Sequence, residues 1–366
     1  MRACIVGIQN LKHMTLISIY TQYFEKNHIE YDLIYIDKYG KDEKNTASHV
    51  YKFDGTKKVY NSIIGKVIKT IEFKRYAEKI LKKNKYDFVV IWREQTAFIF
   101  ANFLKNYYKN KYSVNIRDLW NLPNWVLYNG IKKATENSIF NTISSIGFVE
   151  YLPKAEYLMV HSANKELLTL DNLIPGEICK FPIKITYIGT VRFFKYFCNL
   201  IDALGNDSRF ELAFIGQGSE ELKKYAEKSR IQNVSFIGKF ESHQTIELLQ
   251  GTHVINCAFG SEKIPERTLT PIRLYYAIYG RIPVLTTEGT WVDSIAKQLG
   301  MALTIPKDVG RDNVIADKIY ASYCNLDRIQ MNHGIEQYCR DIDEKHIIFE
   351  SKLNDYFCIG NGGKEI

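Results

Sequence analysis

The stretch Tyr187-Ile-Gly-Thr-Val-Arg-Phe-Phe-Lys195 decides the fold, because it predicts a buried strand that ends at a glycine and continues into a helix. A glycine at a strand end lets a diphosphate approach the backbone, and the amino end of a helix favours anions. Arg192 and Lys195 add positive charge next to Gly189. The motif predicts a phosphate site, and the plain alternative is a solvated helix start that carries two cations.

The order of strand, glycine and helix recurs further along the chain. Residues 210–215 predict a strand that ends at Gly216, within the turn Phe214-Ile-Gly-Gln-Gly-Ser-Glu-Glu221. This turn has the first two glycines of a dinucleotide fingerprint, Gly216 and Gly218, but Glu221 where the third belongs, so it indicates nicotinamide binding only weakly. A tight turn without a ligand is the alternative. Such repeated units predict an open parallel sheet, which binds ligands at the carboxyl ends of its strands.

A third motif, Thr270-Pro-Ile-Arg-Leu-Tyr-Tyr-Ala-Ile-Tyr-Gly-Arg-Ile-Pro-Val284, predicts a helix followed by a buried strand. Pro271 is suited to a helix start and Gly280 to a helix end. Arg273 lies in the first turn, where the helix dipole disfavours a cation unless an anion is present. Arg273 is therefore a candidate ligand of an anion.

The first half of the chain also alternates strands with helices. Its short apolar runs predict strands covered on both faces, at residues 3–8, 31–36, 88–92 and 112–116. Because 366 residues exceed what one hydrophobic core usually serves, we expect two domains, 1–178 and 179–340. Residues 341–366 predict a carboxyl-terminal helix that could pack back on the first domain, and a frayed tail.

Charge is divided unequally between the two halves. The net charge of +8 splits into +9 for residues 1–180, with 27 basic and 18 acidic side chains, and −1 for residues 181–366, with 22 and 23. Seven cysteines without a close pair argue against a disulfide framework or a CxxC metal site and favour a reducing cytoplasm. The sequence shows neither a signal peptide nor an apolar run long enough to span a membrane.

Taken in order and spacing, these motifs resemble the carboxyl-terminal, nucleotide-sugar-binding domain of GT-B glycosyltransferases. The resemblance covers residues 184–306 and is strongest to glycosyltransferase family 4 and similar polysaccharide-assembly enzymes. It implies an α/β chain with the GT-B fold, in which two Rossmann-like, doubly wound domains face each other across a cleft.

The resemblance also assigns roles to residues. It implies that Gly189, Arg192 and Lys195 line the donor diphosphate, that Gly216 and Gly218 pass under the nucleotide, and that Arg273 takes the place of the basic residue of a "P-x-K-L" motif. The chain departs from the family where many members carry two glutamates, the second of which contacts the donor ribose. Thr268 and Tyr276 stand at those positions, and Glu262 and Glu266 lie nearby but off register.

The predicted activity is transfer of a sugar from a nucleotide diphosphate sugar, by default a UDP-sugar, to a glycan or lipid-linked acceptor in surface polysaccharide assembly. No Asp-x-Asp run follows a predicted strand, and the run Asp341-Ile-Asp343 lies in the predicted carboxyl-terminal helix, so we expect no metal and no cofactor. Two alternatives are a nucleotide-sugar epimerase of the same fold and a catalytically silent subunit that binds glycan or a partner. Tyr276 in place of the glutamate favours the silent subunit.

Candidate catalytic groups in the first half follow predicted strands. His13 lies in the loop after the first strand and could act as a general base, because imidazole titrates near neutral pH. Asp118, beside Arg117, is the preferred polar group on the acceptor side, and His161 is a weaker candidate. The alternatives are a structural role for each histidine and a salt bridge or helix cap for Asp118.

The segment that starts at Lys57 and ends at Lys85 has ten basic residues against Glu72 and Glu78, with aliphatic residues interleaved at near-helical spacing. This pattern could lie on an anionic bilayer, which would place a cytoplasmic protein at the inner face of the cell membrane. The alternative is the solvated outer face of a packed helix. No nucleic-acid-binding module accompanies the charge, so we expect no nucleic acid partner.

Overall fold

The computed structural model describes residues 1–14, 16–119, 124–163, 173–177, 180–309 and 314–359. The chain forms two compact units. Unit 1 contains residues 1–161 and 343–366, and unit 2 contains residues 162–342. The division at residues 161 and 162 lies upstream of the boundary at 178 and 179 that we expected from the sequence. The glycine-rich tail at 360–363 lies outside the described residues.

Unit 1 is built on a seven-stranded parallel sheet in the order β3-β2-β1-β4-β5-β6-β7. The strands are β1 (Arg2–Gly7), β2 (Glu30–Asp37), β3 (His49–Asp54), β4 (Phe88–Trp92), β5 (Tyr112–Ile116), β6 (Phe140–Ile143) and β7 (Tyr157–Met159). The α-helices between these strands are α1 (Ser18–Lys26), α2 (Ile63–Asn84), α3 (Glu94–Tyr107) and α4 (Trp125–Glu136). Every residue of β4 and β5 is buried, which explains the continuous apolar sequence of β4; β5 also buries the polar residues Ser113 and Asn115.

Unit 2 is built on a six-stranded parallel sheet in the order β10-β9-β8-β11-β12-β13. Its strands are β8 (Ile183–Ile188), β9 (Phe210–Ile215), β10 (Val234–Ile237), β11 (Val254–Asn256), β12 (Val284–Thr287) and β13 (Ala302–Ile305). Its helices are α5 (Phe194–Leu204), α6 (Ser219–Lys228), α7 (Thr245–Leu248), α8 (Ile264–Thr268), α9 (Ile272–Tyr279), α10 (Trp291–Gln298) and α11 (Val314–Cys324).

Both sheets have the doubly wound topology that the sequence predicted. In each sheet the first strand in sequence lies centrally, and the chain winds outward to one side and then to the other. The strand order reverses between β1 and β4 in unit 1, and between β8 and β11 in unit 2. The carboxyl ends of the strands at such a reversal leave a crevice that open α/β sheets use to bind ligands.

The last helix, α12 (Arg328–Phe357), contributes to both cores. Met331 and Ile335 are buried with the residues of unit 2, whereas Phe349 and Phe357 are buried among the aromatic residues of unit 1. No helix in the described part of the chain combines the length and the apolar composition that a membrane crossing requires.

The structure differs from the sequence pattern in two places. The sequence pattern did not predict β3, whose residues are exposed or half-buried at the edge of the sheet, so its apolar signal is weak. The pattern of residues 243–250 predicts a helix, and the structure has a short 3-10 helix, Ser242–Gln244, followed by the four-residue α7. Glu241 and Gln244 form a capping box at the start of the 3-10 turn.

Candidate functional site

Arg273 lies at the reversal point of the sheet of unit 2. It belongs to the first turn of α9, and it reaches the last residues of β8 and β11. Its Nε donates to the carbonyl oxygen of Asn256 at 3.1 Å, and its Nη1 donates to that of Ile188 at 3.4 Å. The guanidinium carbon lies 4.2 Å from the centroid of the Tyr187 ring, and the residue is only 8% exposed. The guanidinium of Arg273 is therefore held in the crevice where open parallel sheets bind ligands.

The partners of Arg273 are all neutral. Besides the two carbonyl groups and the Tyr187 ring, its guanidinium contacts the Cys257 thiol, and burial raises the pKa of that thiol to about 11, so it is uncharged at neutral pH. Among the described residues no carboxylate forms an ion pair with Arg273. A buried cation without an anionic partner is costly, and an anionic ligand would remove that cost. The positive charge of Arg273 is thus left without an anionic partner among the described residues.

Gly189 lies beside Arg273, and its turn touches the turn that holds Gly216 and Gly218. The Gly189 amide donates to Ile215 at 2.8 Å, and all three glycines have positive φ angles. A Cβ atom on Gly216 would stand 2.0 Å from the Gly189 carbonyl oxygen, and one on Gly189 would stand 3.2 Å from Arg273 Nη1. The turns after β8 and β9 therefore pack backbone against backbone, next to the guanidinium.

The amino end of α6 is already occupied by a side chain of its own. Glu220 Oε2 accepts a hydrogen bond from the Gly218 amide at 3.0 Å. A carboxylate at that place satisfies a free amide and competes with any bound anion. The turn at Gly216 and Gly218 is thus suited to the close approach of a flat, uncharged group more than to holding a phosphate.

Arg192 and Lys195 follow the Gly189 turn along the chain. Arg192 lies in the loop before α5 and Lys195 in its first turn, and both side chains are exposed. Neither forms an ion pair with another described residue. The structure brings Gly189 next to Arg273 and Gly216 against Gly189, and it leaves these two cations without an ion pair to a described residue.

The two glutamates that lie off register have a structural arrangement of their own. Glu266 is buried, and its Oε2 accepts hydrogen bonds from the amides of Glu262 and Lys263, each at 3.1 Å. Thr268 donates its hydroxyl to the carbonyl of Ile264 at 2.8 Å within α8. Glu266 therefore orders the loop before α8, a role that its sequence position did not indicate.

In unit 1 the structure places Asp118 in a cluster with Arg93 and Gln9. The Arg93 guanidinium forms an ion pair with the Asp118 carboxylate through Nη2, and its Nη1 donates to Gln9 Oε1 at 2.7 Å. The neighbouring Arg117 instead donates to the carbonyl of Val160 at 2.9 Å. Arg93 and Gln9 were not among the candidates selected from the sequence, although Arg93 directly follows β4 and could have been found as a cation at a strand end.

His13 belongs to a different local contact. Its Nε2 lies 2.8 Å from the hydroxyl of Tyr39, and the amino group of Lys12 lies 3.5 Å from the centroid of the Tyr39 ring. The His13 carbonyl accepts a hydrogen bond from Gln9 Nε2 at 2.5 Å, which links its backbone to the Arg93 cluster. His161, the weaker candidate, is buried. The imidazole of His13 is exposed, as a group that meets a substrate must be.

The loop that carries His13 is held by two acidic residues. Glu43 accepts hydrogen bonds from the amides of Leu11 and Lys12, each at 3.0 Å. Asp37 accepts from Asn10 Nδ2 at 2.9 Å and from two following amides. Burial opposes ionisation of Asp37, but these hydrogen bonds prevail and lower the pKa of its carboxyl group. The loop is therefore a fixed part of unit 1.

Comparison with known proteins gives a match only at the level of structure. No family model and no curated protein matches the chain. Sucrose-phosphate synthase from Thermosynechococcus elongatus matches with a TM-score of 0.74 at 9% identity, over 98% of this chain and 99% of that chain. A UDP-forming α,α-trehalose-phosphate synthase from Burkholderia xenovorans matches with a TM-score of 0.66 at 9% identity, over 97% and 100%.

A lipopolysaccharide outer core galactosyltransferase in its apo form matches with a TM-score of 0.63 at 13% identity, over 98% of this chain and 99% of that chain. These matches run over both units, and both sheets are doubly wound. The chain has the GT-B fold. Within this GT-B chain, unit 2 carries Arg273 and the three glycines, and unit 1 carries the Asp118 cluster and His13. The described residues contain no group of three or more histidine, cysteine, aspartate or glutamate side chains that could hold a metal ion.

Proposed function

We propose that the protein is a glycosyltransferase that moves a sugar from a nucleotide diphosphate sugar to a glycan or lipid-linked acceptor in surface polysaccharide assembly. The observation that carries the proposal is Arg273, a buried cation with neutral partners at the reversal point of the unit 2 sheet. The solved structures of the same fold support it, because they include a UDP-forming synthase and a lipopolysaccharide galactosyltransferase. A UDP-sugar is accordingly the first donor to test.

In the proposed reaction the bond between the anomeric carbon and the diphosphate oxygen breaks, and the electron pair leaves on the diphosphate. Arg273 stabilises the charge that develops there, and Arg192 and Lys195 add to it from the exposed side. Gly216 and Gly218 leave room for the nucleoside. The acceptor hydroxyl forms the new bond to carbon and gives its proton to a base, for which His13 and Asp118 are the candidates.

The donor-site proposal predicts the effect of removing the exposed cations. We expect Arg192→Ala and Lys195→Ala each to weaken UDP binding about threefold to tenfold, because each removes one charge-assisted contact with the diphosphate. The melting temperature should not change, since both side chains are exposed. Titration calorimetry measures the affinity, and Lys224→Ala on the exposed face of α6 is the matched control. Unchanged affinity in both variants would remove a main support of the proposed site.

The activity itself is tested by screening nucleotide sugars by mass spectrometry with a membrane lipid extract as the source of acceptor. We expect nucleoside diphosphate to be released mainly when acceptor is present, equally with and without a chelator.

Asp118→Asn should slow this turnover without changing UDP affinity. Conversion of the donor without acceptor would indicate an epimerase, and failure to bind any nucleotide would indicate a silent subunit. The second outcome has some support in Thr268 and Tyr276, which stand where many family members carry glutamates.

A further inference from the structure

The first half of α2 exposes its aliphatic side chains. Ile63 is 83% exposed and Ile64 is 74% exposed, and Val67, Ile68 and Ile71 are exposed as well. The second half of the helix holds it on unit 1 through Phe73, Ala77 and Leu81, which recur every four residues and are buried. Ser62 caps the helix by accepting a hydrogen bond from the Gly65 amide at 2.9 Å. A row of exposed aliphatic residues on a well-anchored helix indicates a surface that meets a partner.

The start of α4 adds to the same surface. Trp125 is 76% exposed, and Val126 beside it is also exposed. Both line a groove of about 450 Å³ that is also lined by Ile71 of α2 and Phe98 of α3. A Cβ atom on Gly130 would stand 2.3 Å from the Phe98 ring, so this glycine lets α4 lie close against α3. Two helices from distant parts of the sequence thus form one apolar surface.

Basic residues surround this apolar surface. Lys74 and Lys133 line the groove, and Lys58 and Lys66 are exposed near the start of α2. The helical spacing of three or four residues that leads from Ile64 to Ile71 continues along the same side of α2 through Arg75, Lys79 and Lys82. The two glutamates of the helix are both engaged, since Glu72 accepts a hydrogen bond from Tyr60 and Glu78 lies 3.9 Å from Lys74.

We propose that this surface docks on an anionic phospholipid bilayer. We call it the docking surface, and it consists of Ile63, Ile64, Val67, Ile68, Ile71, Trp125 and Val126 with Lys58, Lys66, Lys74 and Lys133. The aliphatic side chains and the indole enter the interface, where tryptophan is favoured, and the ammonium groups meet lipid phosphates. A second copy of the chain fits less well, because pairing two such surfaces would bring like charges together.

Docking on a bilayer would give the proposed glycosyltransferase access to a lipid-linked acceptor, and only this purpose of the docking rests on the proposed function. Vesicle binding requires neither donor nor acceptor. The docking surface and the proposed activity can therefore fail independently, and the two failures can be told apart.

The test is co-sedimentation of the full chain with vesicles of phosphatidylcholine alone or of equimolar phosphatidylcholine and phosphatidylglycerol. We expect binding to the anionic vesicles only, weakening as salt is added. Ile64→Ser with Ile68→Ser, and separately Lys58→Gln with Lys66→Gln, should each weaken it about tenfold or more. The matched controls are Ile329→Ser, an 85% exposed isoleucine of α12, and Lys223→Gln with Lys224→Gln on α6.

Tryptophan fluorescence reports which side chains enter the bilayer. The emission should shift to shorter wavelength with anionic vesicles, and Trp125→Phe should abolish the shift although three other tryptophans remain. Equal binding to both kinds of vesicle, or equal loss in the control variants, would overturn the proposal. Absence of vesicle binding would overturn it as well, and a dimer in sedimentation velocity that Ile64→Ser with Ile68→Ser dissociates would show that the occupant is a second copy of the chain.

Discussion

Replacing Arg273 with alanine is expected to weaken UDP binding about 100-fold or more and to reduce turnover at least as much. The guanidinium is buried and fixed by the carbonyl groups of Ile188 and Asn256, so its charge is directed at one place without reorganisation. Truncating one partner of a buried charge pair costs about 2 to 5 kcal/mol, and 1.4 kcal/mol corresponds to a factor of ten in affinity. Titration calorimetry with UDP measures the effect directly.

Two further variants separate binding from folding. Arg273→Lys keeps the charge but lacks the planar guanidinium that donates to both carbonyl groups. Its UDP affinity should therefore lie between that of the wild type and that of Arg273→Ala. Arg209→Ala is the control, because Arg209 pairs with Asp207 and Asp317 and directly precedes β9, at the opposite end of the strand from Gly216. It should lower the melting temperature and leave UDP affinity unchanged. Full UDP affinity in Arg273→Ala would contradict the proposed donor site.

The sequence was sufficient to predict strands that are mostly apolar because both faces are covered. β4, β5 and β9 have the expected bounds. The pattern did not predict β3, whose edge position leaves it half-exposed, or β6, where Asn141 and Thr142 interrupt a short buried run. Arg273 could be selected as an anion ligand from its position in a helix start. Its packing against Tyr187 and Ile188 could not be foreseen, since those residues lie more than eighty positions away and are brought close only by the sheet.

Unit 1 illustrates the same limit for the candidate catalytic groups. Asp118 was selected because it follows a strand, and a salt bridge was one alternative role for its carboxylate. Its ionic partner is Arg93, which follows the adjacent strand β4. Carboxyl ends of parallel neighbours lie together at one edge of a sheet, so pairing across strands was the better expectation once the strand order was known. Single-sequence reasoning identifies strand ends but not which of them are adjacent.

Replacing Gly216 with alanine is expected to destabilise unit 2 by about 3 kcal/mol or more, because two separate effects combine. The φ angle of Gly216 is +139°, which residues with a Cβ rarely adopt. The added Cβ would also stand 2.0 Å from the carbonyl oxygen of Gly189, which belongs to the backbone and cannot rotate away. The turns after β8 and β9 must therefore separate. UDP affinity should fall with stability, since Arg273 Nη1 lies beside Gly189.

Gly251→Ala distinguishes the backbone contact from the effect of φ alone. Gly251 also has a positive φ angle, +67°, but a Cβ atom there would have nothing within 4 Å. This variant should lose only about 1 kcal/mol and keep its UDP affinity. In thermal unfolding the Gly216 variant should melt about 6 to 12 °C below the wild type. Equal losses in the two variants would show that the close approach of the turns contributes nothing. A larger loss of stability in Gly216→Ala than in Gly251→Ala, accompanied by weaker UDP binding, would show that the contact between the two turns maintains the geometry around Arg273.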